Sequence, residues 1–174
     1  MSTSTDEDLH RMVKGIVDDL EAAASGSLYD VDGECVVIDD MDEWKKAEYE
    51  KLKEGFEADH PRSSFKLEDN VYESYEEWME DEIGTTEDID EPDEVSLSEY
   101  IDKQSLGDVR FEVDSEKELH GGKTLFCYGG PNIWVANDEV RGYWGSATVE
   151  MSLNSEASSA LYGWFEEQWD SVKD

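Results

Sequence analysis

The sequence feature that most restricts how this chain can fold is a long stretch without a basic residue. Between Leu67 and Asp102 there are 16 Asp and Glu residues among 36 positions, and no Lys, Arg or His. Carboxylates this close together repel one another and oppose compaction. The stretch therefore has to keep its charged side chains in solvent, and it lies between two parts of the chain with ordinary apolar patterning.

The charge of the whole chain is also far from balanced, with 47 Asp and Glu against 14 Lys and Arg and a formal net charge of −33. A disordered acidic chain would be poor in aromatic residues, whereas 11% of this chain is aromatic. We therefore expect a folded core built on a few large side chains that each bury much area. The length of 174 residues suits one domain, or one domain with a substantial appendage.

Before the cation-free stretch, the pattern predicts a helix, a hairpin and a second helix. Apolar residues recur at helical spacing over 6–24. The Asp32-Gly33 pair is a strong two-residue turn signal and predicts a hairpin over 28–38. The second helix is predicted over 39–59 and ends at His60-Pro61, because the residue before proline avoids helical backbone angles.

The cation-free stretch itself is predicted to contain two helices joined by an acidic loop. Apolar side chains recur at helical spacing over 70–83, and Gly84 ends that helix. Residues 85–94 form the loop. Ser96 and Glu99 then have the spacing of a capping box at the start of a short helix.

The last third of the chain predicts a β-meander followed by a helix. Residues 109–113 alternate apolar and charged side chains, as a half-buried strand does, and a loop is predicted over 116–122. Further strands and a final helix are predicted over 124–128, 132–136, 140–144, 148–153 and 155–172. The fold class is α+β: a C-terminal antiparallel β-meander packed on a C-terminal helix, preceded by a mainly helical acidic N-terminal half with a β-hairpin. The predicted segments are 1–66, 67–102 and 103–174.

One string in the meander is specific enough to be compared with known families. Cys127-Tyr128-Gly129-Gly130-Pro131-Asn132-Ile133-Trp134-Val135 is followed by Val140-Arg141-Gly142-Tyr143-Trp144-Gly145 and by a helix that contains Phe165-Glu166-Glu167. Over residues 97–170 the chain resembles small uncharacterised acidic proteins of phages and integrative elements with a Gly-Gly-Pro-Asn-Ile motif. This resemblance implies a mobile-element origin and no particular reaction. By composition, the chain resembles the DNA-mimic class of anti-CRISPR and anti-restriction inhibitors.

The histidines and cysteines do not have the spacing that is typical of a catalytic, metal or cofactor site. The histidines His10, His60 and His120 have no Cys or His neighbour at metal-ligand spacing, and no nucleophile elbow or Walker loop occurs. Cys35 and Cys127 lie in apolar, strand-like runs and predict buried reduced thiols. We therefore predict no enzyme, no cofactor and no metal. The many carboxylates keep a small hydrolase open as an alternative, because such sites need two or three carboxylates in a shaped pocket.

Charge and hydropathy also predict the compartment and the kind of partner. The N-terminus has neither a basic region nor an apolar region of a signal peptide, and no apolar run approaches about 18 residues, the length of a membrane span. Anionic membranes would repel the chain, and direct binding to nucleic acid needs cations. We predict a cytoplasmic protein that binds neither a membrane nor nucleic acid, and whose partner is a basic protein.

These observations lead to the hypothesis of a nucleic-acid mimic that inhibits a CRISPR-Cas effector or a restriction enzyme. Carboxylates at helical spacing lie about 5–6 Å apart, which is comparable with the phosphate spacing along one DNA strand. The predicted partner-binding residues are Glu73, Glu76, Glu77, Glu80, Asp81, Glu82, Glu87, Asp88, Asp90, Glu91, Asp93 and Glu94. A halophilic or acid-faced adaptor domain is the alternative, although ten Lys against four Arg argue against a halophilic composition.

Overall fold

The computed structural model of the protein describes residues 3–69 and 71–173, and their contacts divide the chain into two compact units. Unit 1 consists of Met1–Val37 and Asp93–Asp174, and unit 2 consists of Ile38–Pro92. These units do not coincide with the segments predicted over 1–66, 67–102 and 103–174. The physical reason is that the N-terminal helix packs on the C-terminal sheet, a long-range contact that local patterns do not report.

The described residues form five α-helices and eight β-strands. Unit 1 contains α1 (Thr3–Ser25), β1 (Leu28–Val31), β2 (Glu34–Val37), β3 (Asp93–Glu94), α4 (Leu97–Gln104), β4 (Val109–Val113), β5 (Leu119–Cys127), β6 (Asn132–Ala136), β7 (Glu139–Trp144), β8 (Ala147–Ser152) and α5 (Ser155–Val172). Unit 2 contains α2 (Met41–Asp59), α3 (Tyr75–Ile83) and 3-10 turns at Arg62–Ser64, Leu67–Asp69 and Thr86–Asp88. The α+β fold class and the meander before the C-terminal helix are confirmed.

Three predicted elements differ from the structure. The helix predicted over 70–83 begins only at Tyr75, because the side chain of Ser74 caps it by accepting from the N–H of Glu77. The loop predicted over 85–94 contains a capped 3-10 turn and the short strand β3. The loop predicted over 116–122 ends early, because β5 already begins at Leu119 and pairs with β4 across a bulge. In each case side-chain caps or strand pairing override the local pattern.

The main sheet of unit 1 is fully antiparallel, with the strand order β4-β5-β6-β7-β8. Helices α1 and α5 pack on the same face, as two glycines show. A Cβ on Gly142 of β7 would lie 2.7 Å from Leu9 of α1, and a Cβ on Gly122 of β5 would lie 2.7 Å from Phe165 of α5. Glycine in a strand allows this close approach, so these positions place both helices tightly against the sheet.

The core of unit 1 lies between this sheet and its helices. Nineteen buried residues form one cluster, and those with no exposed surface include Leu9, Ile133, Val135, Leu161 and Phe165. A second sheet has the order β2-β1-β3 and is also antiparallel. Unit 2 leaves unit 1 after β2 and returns at β3, so it is an insertion into unit 1.

Unit 2 has a small and mainly aromatic core. Its buried residues are Phe56, Tyr75 and Met79, with Phe65, Trp78 and Ile83 packed around them. The ring of Phe56 lies 5.7 Å from that of Tyr75 and 5.1 Å from that of Trp78. Aromatic side chains bury much area per residue, so a few rings hold α2 against α3. In the described part of the chain, no helix has the length and apolar character needed to cross a membrane.

Candidate partner-binding surface

All twelve predicted partner-binding carboxylates are exposed. Ten of them, from Glu73 to Glu91, belong to unit 2. Asp93 and Glu94 belong to unit 1, where they form β3 beside Asp30 and Tyr29 of β1. The predicted set is therefore divided between two compact units.

The first part of α3 uses its carboxylates to hold the helix start. The N–H of Glu73 donates to Oε2 of Glu77 at 2.6 Å, and the N–H of Glu77 donates to the Ser74 hydroxyl at 3.0 Å. The hydroxyl of Tyr72 donates to Asp81 at 2.6 Å. This hydrogen bond to Asp81 raises the pKa of the Tyr72 hydroxyl. Glu77 and Asp81 thus stabilise the local fold.

A cation from outside the cation-free stretch neutralises part of it. The guanidinium of Arg62 hydrogen-bonds to Glu76 and lies 3.5 Å from the carboxylate of Glu57. It also lies 4.7 Å from the ring centroid of Tyr75, a cation–π contact. The hydrogen bond from Arg62 lowers the pKa of Glu76. The stretch is free of cations along the sequence, but it is not free of them in space.

Two further predicted carboxylates have partners: Glu91 in an ion pair and Asp88 in a cap. Lys45 of α2 lies 2.9 Å from Glu91. Asp88 accepts from the N–H of Thr85 at 2.8 Å and from its hydroxyl at 2.9 Å. The backbone hydrogen bond from Thr85 is the main cause of the lowered pKa of Asp88. The segment predicted as an acidic loop is therefore held by a cap and an ion pair.

The predicted carboxylates of unit 2 fall into two groups of different character. We name as structural carboxylates those whose side chains make a hydrogen bond or an ion pair: Glu76, Glu77, Asp81, Asp88 and Glu91. We name as free carboxylates those whose side chains have no such partner among the described residues: Glu73, Glu80, Glu82, Glu87 and Asp90. For Glu76 and Glu91, sequence reasoning did not find the partners because Arg62 and Lys45 are distant along the chain. Glu77, Asp81 and Asp88 have nearby partners, which the sequence prediction did not identify.

The acidity is denser in unit 2 than in unit 1. Unit 2 has 21 acidic and six basic residues among 55 positions, which is a net charge of −15. Unit 1 has 26 acidic and eight basic residues among 119 positions, which is a net charge of −18. Per residue, unit 2 therefore carries nearly twice the negative charge of unit 1.

The histidines and cysteines, which could act as nucleophiles or metal ligands, make structural contacts. His60 packs 4.9 Å from the rings of both Phe56 and Trp78, and His120 lies 3.1 Å from Asp114. Both cysteines are free and half-buried, and burial raises the pKa of Cys35. Within residues 3–69 and 71–173, no cluster of three His, Cys, Asp or Glu side chains has the geometry to hold a metal ion.

Comparison with protein-family models, with curated proteins and with solved structures finds no match to this chain.

Proposed function

We propose that this protein is a non-catalytic, cytoplasmic inhibitor that occupies the DNA- or RNA-binding groove of a host defence nuclease, a CRISPR-Cas effector or a restriction enzyme. One observation carries the proposal. Unit 2 combines a net charge of −15 in 55 residues with five exposed carboxylates that no side chain of the described residues neutralises. A cationic groove on another protein is the natural complement of such a surface.

The spacing of carboxylates along α3, structural and free together, is compatible with mimicry of a phosphate backbone. Duplex DNA carries one negative charge per about 1.7 Å of its axis, and helix positions three or four residues apart lie about 5–6 Å from each other. On α3 the structural carboxylate Glu76 and the free carboxylate Glu80 have this spacing, and Glu76 is the one that also pairs with Arg62. A cationic channel that holds nucleic acid would attract this surface and speed the encounter. The resemblance of residues 97–170 to acidic proteins of mobile elements agrees with a host defence enzyme as the target.

The structure changes which carboxylates are suitable for a test. Charge reversal at a structural carboxylate such as Glu76 or Asp81 would break a local contact. A loss of binding could then not be distinguished from local unfolding. The informative variant instead reverses free carboxylates: Glu80→Lys, Glu82→Lys, Glu87→Lys and Asp90→Lys. A matched control changes the net charge equally at exposed acidic residues of unit 1, none of which has a side-chain partner among the described residues: Glu7→Lys, Glu116→Lys, Glu166→Lys and Glu167→Lys.

The experiment begins with capture of partners from lysates of candidate hosts and their identification by mass spectrometry. The captured nuclease is then tested for loading of a fluorescent DNA or RNA in the presence of wild type, the unit 2 variant or the unit 1 control. We expect wild type and the control to block loading and the unit 2 variant to lose at least about 100-fold in potency, which corresponds to about 2.7 kcal/mol. The absence of any nucleic-acid-binding protein among the captured partners would reject the proposal, as would equal potency of the two variants.

A further inference from the structure

The face of the main sheet opposite α1 and α5 differs in charge from the rest of unit 1. The register places Arg110 beside Lys123, and Trp134 beside Arg141 and then Glu150. Tyr143 and Thr148 are paired further along the same face. We name this surface the outer face: Asp108, Arg110, Glu112, Lys123, Trp134, Glu139, Arg141, Tyr143, Thr148 and Glu150. Among the described residues, the helices with the most contacts to this sheet are α1 and α5, which pack on the opposite face.

Cations of the outer face surround one tryptophan. The guanidinium of Arg110 lies 4.6 Å from the ring centroid of Trp134, and the ammonium of Lys123 lies 5.0 Å from it. Lys123 has no ion pair with any described carboxylate. Arg141 lies between two carboxylates, 2.6 Å from Glu139 and 2.9 Å from Glu150.

The outer face therefore has a net charge of only −1 in a chain of charge −33. Three cations, Arg110, Lys123 and Arg141, stand against four carboxylates, Asp108, Glu112, Glu139 and Glu150. Elsewhere in unit 1, five basic residues stand against 22 acidic ones. Two copies of this chain repel each other where acidic surfaces meet, so an approach through the outer faces avoids most of that short-range repulsion.

We propose that the outer face is an interface with a second copy of this chain. Charges of both signs make it self-complementary, since Arg141, which pairs with Glu150 of its own chain, can exchange that partner for Glu150 of the other copy across a two-fold axis, as an isologous contact requires. Trp134 and Tyr143 supply aromatic surface, which is enriched in interfaces. The dimer does not depend on the inhibitor function proposed above, although it would present two copies of unit 2 to a partner.

The size of the outer face indicates a weak dimer. Five strands about 4.8 Å apart, with five or six residues at about 3.3 Å each, give a flat area of roughly 350 Å². Stable interfaces bury about 800 Å² of accessible surface per partner. We expect weak association, strengthened by salt, because salt screens the long-range repulsion between the two copies while the contacts at short range persist.

The test is sedimentation equilibrium of the full chain at increasing concentration. It is done at about 0.01 M and about 0.15 M NaCl, where the Debye length falls from about 30 Å to about 8 Å. Wild type is expected to dimerise, and more strongly at the higher salt. Two variants place a carboxylate in the outer face, Lys123→Glu and Thr148→Glu, and each is expected to raise the dissociation constant at least about tenfold. Arg11→Glu changes the charge as much as Lys123→Glu, at a residue of α1 that is 78% exposed, and is expected to leave the dimer intact.

Circular dichroism checks that the two face variants remain folded, as we expect because Lys123→Glu can pair with Arg110 and Thr148 is exposed. A monomer at every concentration and salt would overturn the proposal. So would a dimer that Lys123→Glu and Thr148→Glu leave unchanged. Monomeric wild type that binds a fluorescent single-stranded oligonucleotide, with loss of binding in Lys123→Glu, would also overturn it and would assign the face to an anionic ligand.

Discussion

Units 1 and 2 use acidic residues under very different constraints. Unit 1 spreads a net charge of −18 over 119 residues around a cluster of 19 buried residues. Unit 2 concentrates −15 in 55 residues around three buried residues, Phe56, Tyr75 and Met79. Small units bury a smaller share of their surface and are less stable, and charge of one sign opposes compaction. Unit 2 therefore combines the smaller core with the denser charge.

The small core and dense charge of unit 2 explain why half of its predicted carboxylates are not free. Glu76 pairs with Arg62 and Glu91 pairs with Lys45, so these two carboxylates join segments of unit 2 that are distant along the chain. Asp88 accepts from Thr85 and closes a local cap. A polyanionic surface on a small scaffold has to use some of its carboxylates as local supports. Only the remaining free carboxylates are available to a partner without a structural cost.

The largest expected effect comes from the same substitution made in each core. Phe165→Ala removes a fully buried ring from unit 1 and should cost about 3–5 kcal/mol in the free energy of unfolding. Phe56→Ala removes one of the three buried side chains of the aromatic core cluster of unit 2, and we expect it to unfold unit 2 while unit 1 persists. Hydrogen exchange measured on peptides from α2 and α3, and separately from β5 to β7, distinguishes these outcomes.

A conservative substitution at the same position is the control for this comparison. Phe56→Leu retains most of the apolar volume, and we expect exchange in α2 and α3 close to that of wild type. Two results would contradict the distinction between the units: unchanged protection of α3 in Phe56→Ala, or an equal loss of protection in β5 to β7.

A change in salt concentration is expected to have an intermediate effect on amide protection in unit 2. Raising NaCl from about 0.01 M to about 0.15 M shortens the Debye length from about 30 Å to about 8 Å and screens repulsion between exposed charges. Amide protection in α2 and α3 should therefore rise more with salt than protection in β5 to β7. Potassium glutamate at equal ionic strength separates screening from specific binding of chloride. If unit 2 required molar salt to fold, the halophilic alternative would gain over the inhibitor.

Much of the fold followed from local signals, because these signals act within a few residues. The Asp32-Gly33 turn joins β1 to β2, with φ values of 54° and 87° at the two residues. The Ser96–Glu99 capping box is present at the start of α4. Helix α5 begins at Ser155 and ends at Val172, as the apolar spacing predicts.

Apart from the local caps at Ser74 and Thr85, the parts that sequence reasoning missed depend on contacts between distant residues. The packing of α1 on β7 joins Leu9 to Gly142, and the pairing of β1 with β3 brings Tyr29 beside Glu94. The ion pair between Arg62 and Glu76 spans 14 residues. Composition identified the acidic segment, but only the pairing in space shows which of its carboxylates are free.

The smallest effects are expected at two matched capping boxes, one in each unit. Thr85 and Asp88 form the box in unit 2, and Ser96 and Glu99 form the box in unit 1. Loss of an N-cap hydroxyl typically costs about 1 kcal/mol. Ser96→Ala should lower the stability of unit 1 by about this amount, whereas Thr85→Ala should act only on unit 2, which hydrogen exchange of peptides around each cap would report.

The pH dependence of these caps has a definite sign. Hydrogen bonds from Ser96 lower the pKa of Glu99 below its ordinary value of 4.5, and those from Thr85 lower that of Asp88 below 3.8. A depressed pKa contributes stability above the unfolded value, and this contribution is lost as the pH falls through the folded value. The difference between wild type and each alanine variant should hold at neutral pH and shrink below about pH 4.5 for Ser96→Ala and about pH 3.8 for Thr85→Ala, near the carboxyl pKa values of the unfolded chain. A difference that grew on acidification would show that the hydroxyls stabilise the protonated carboxyls instead, and neither box would then contribute as a charged cap.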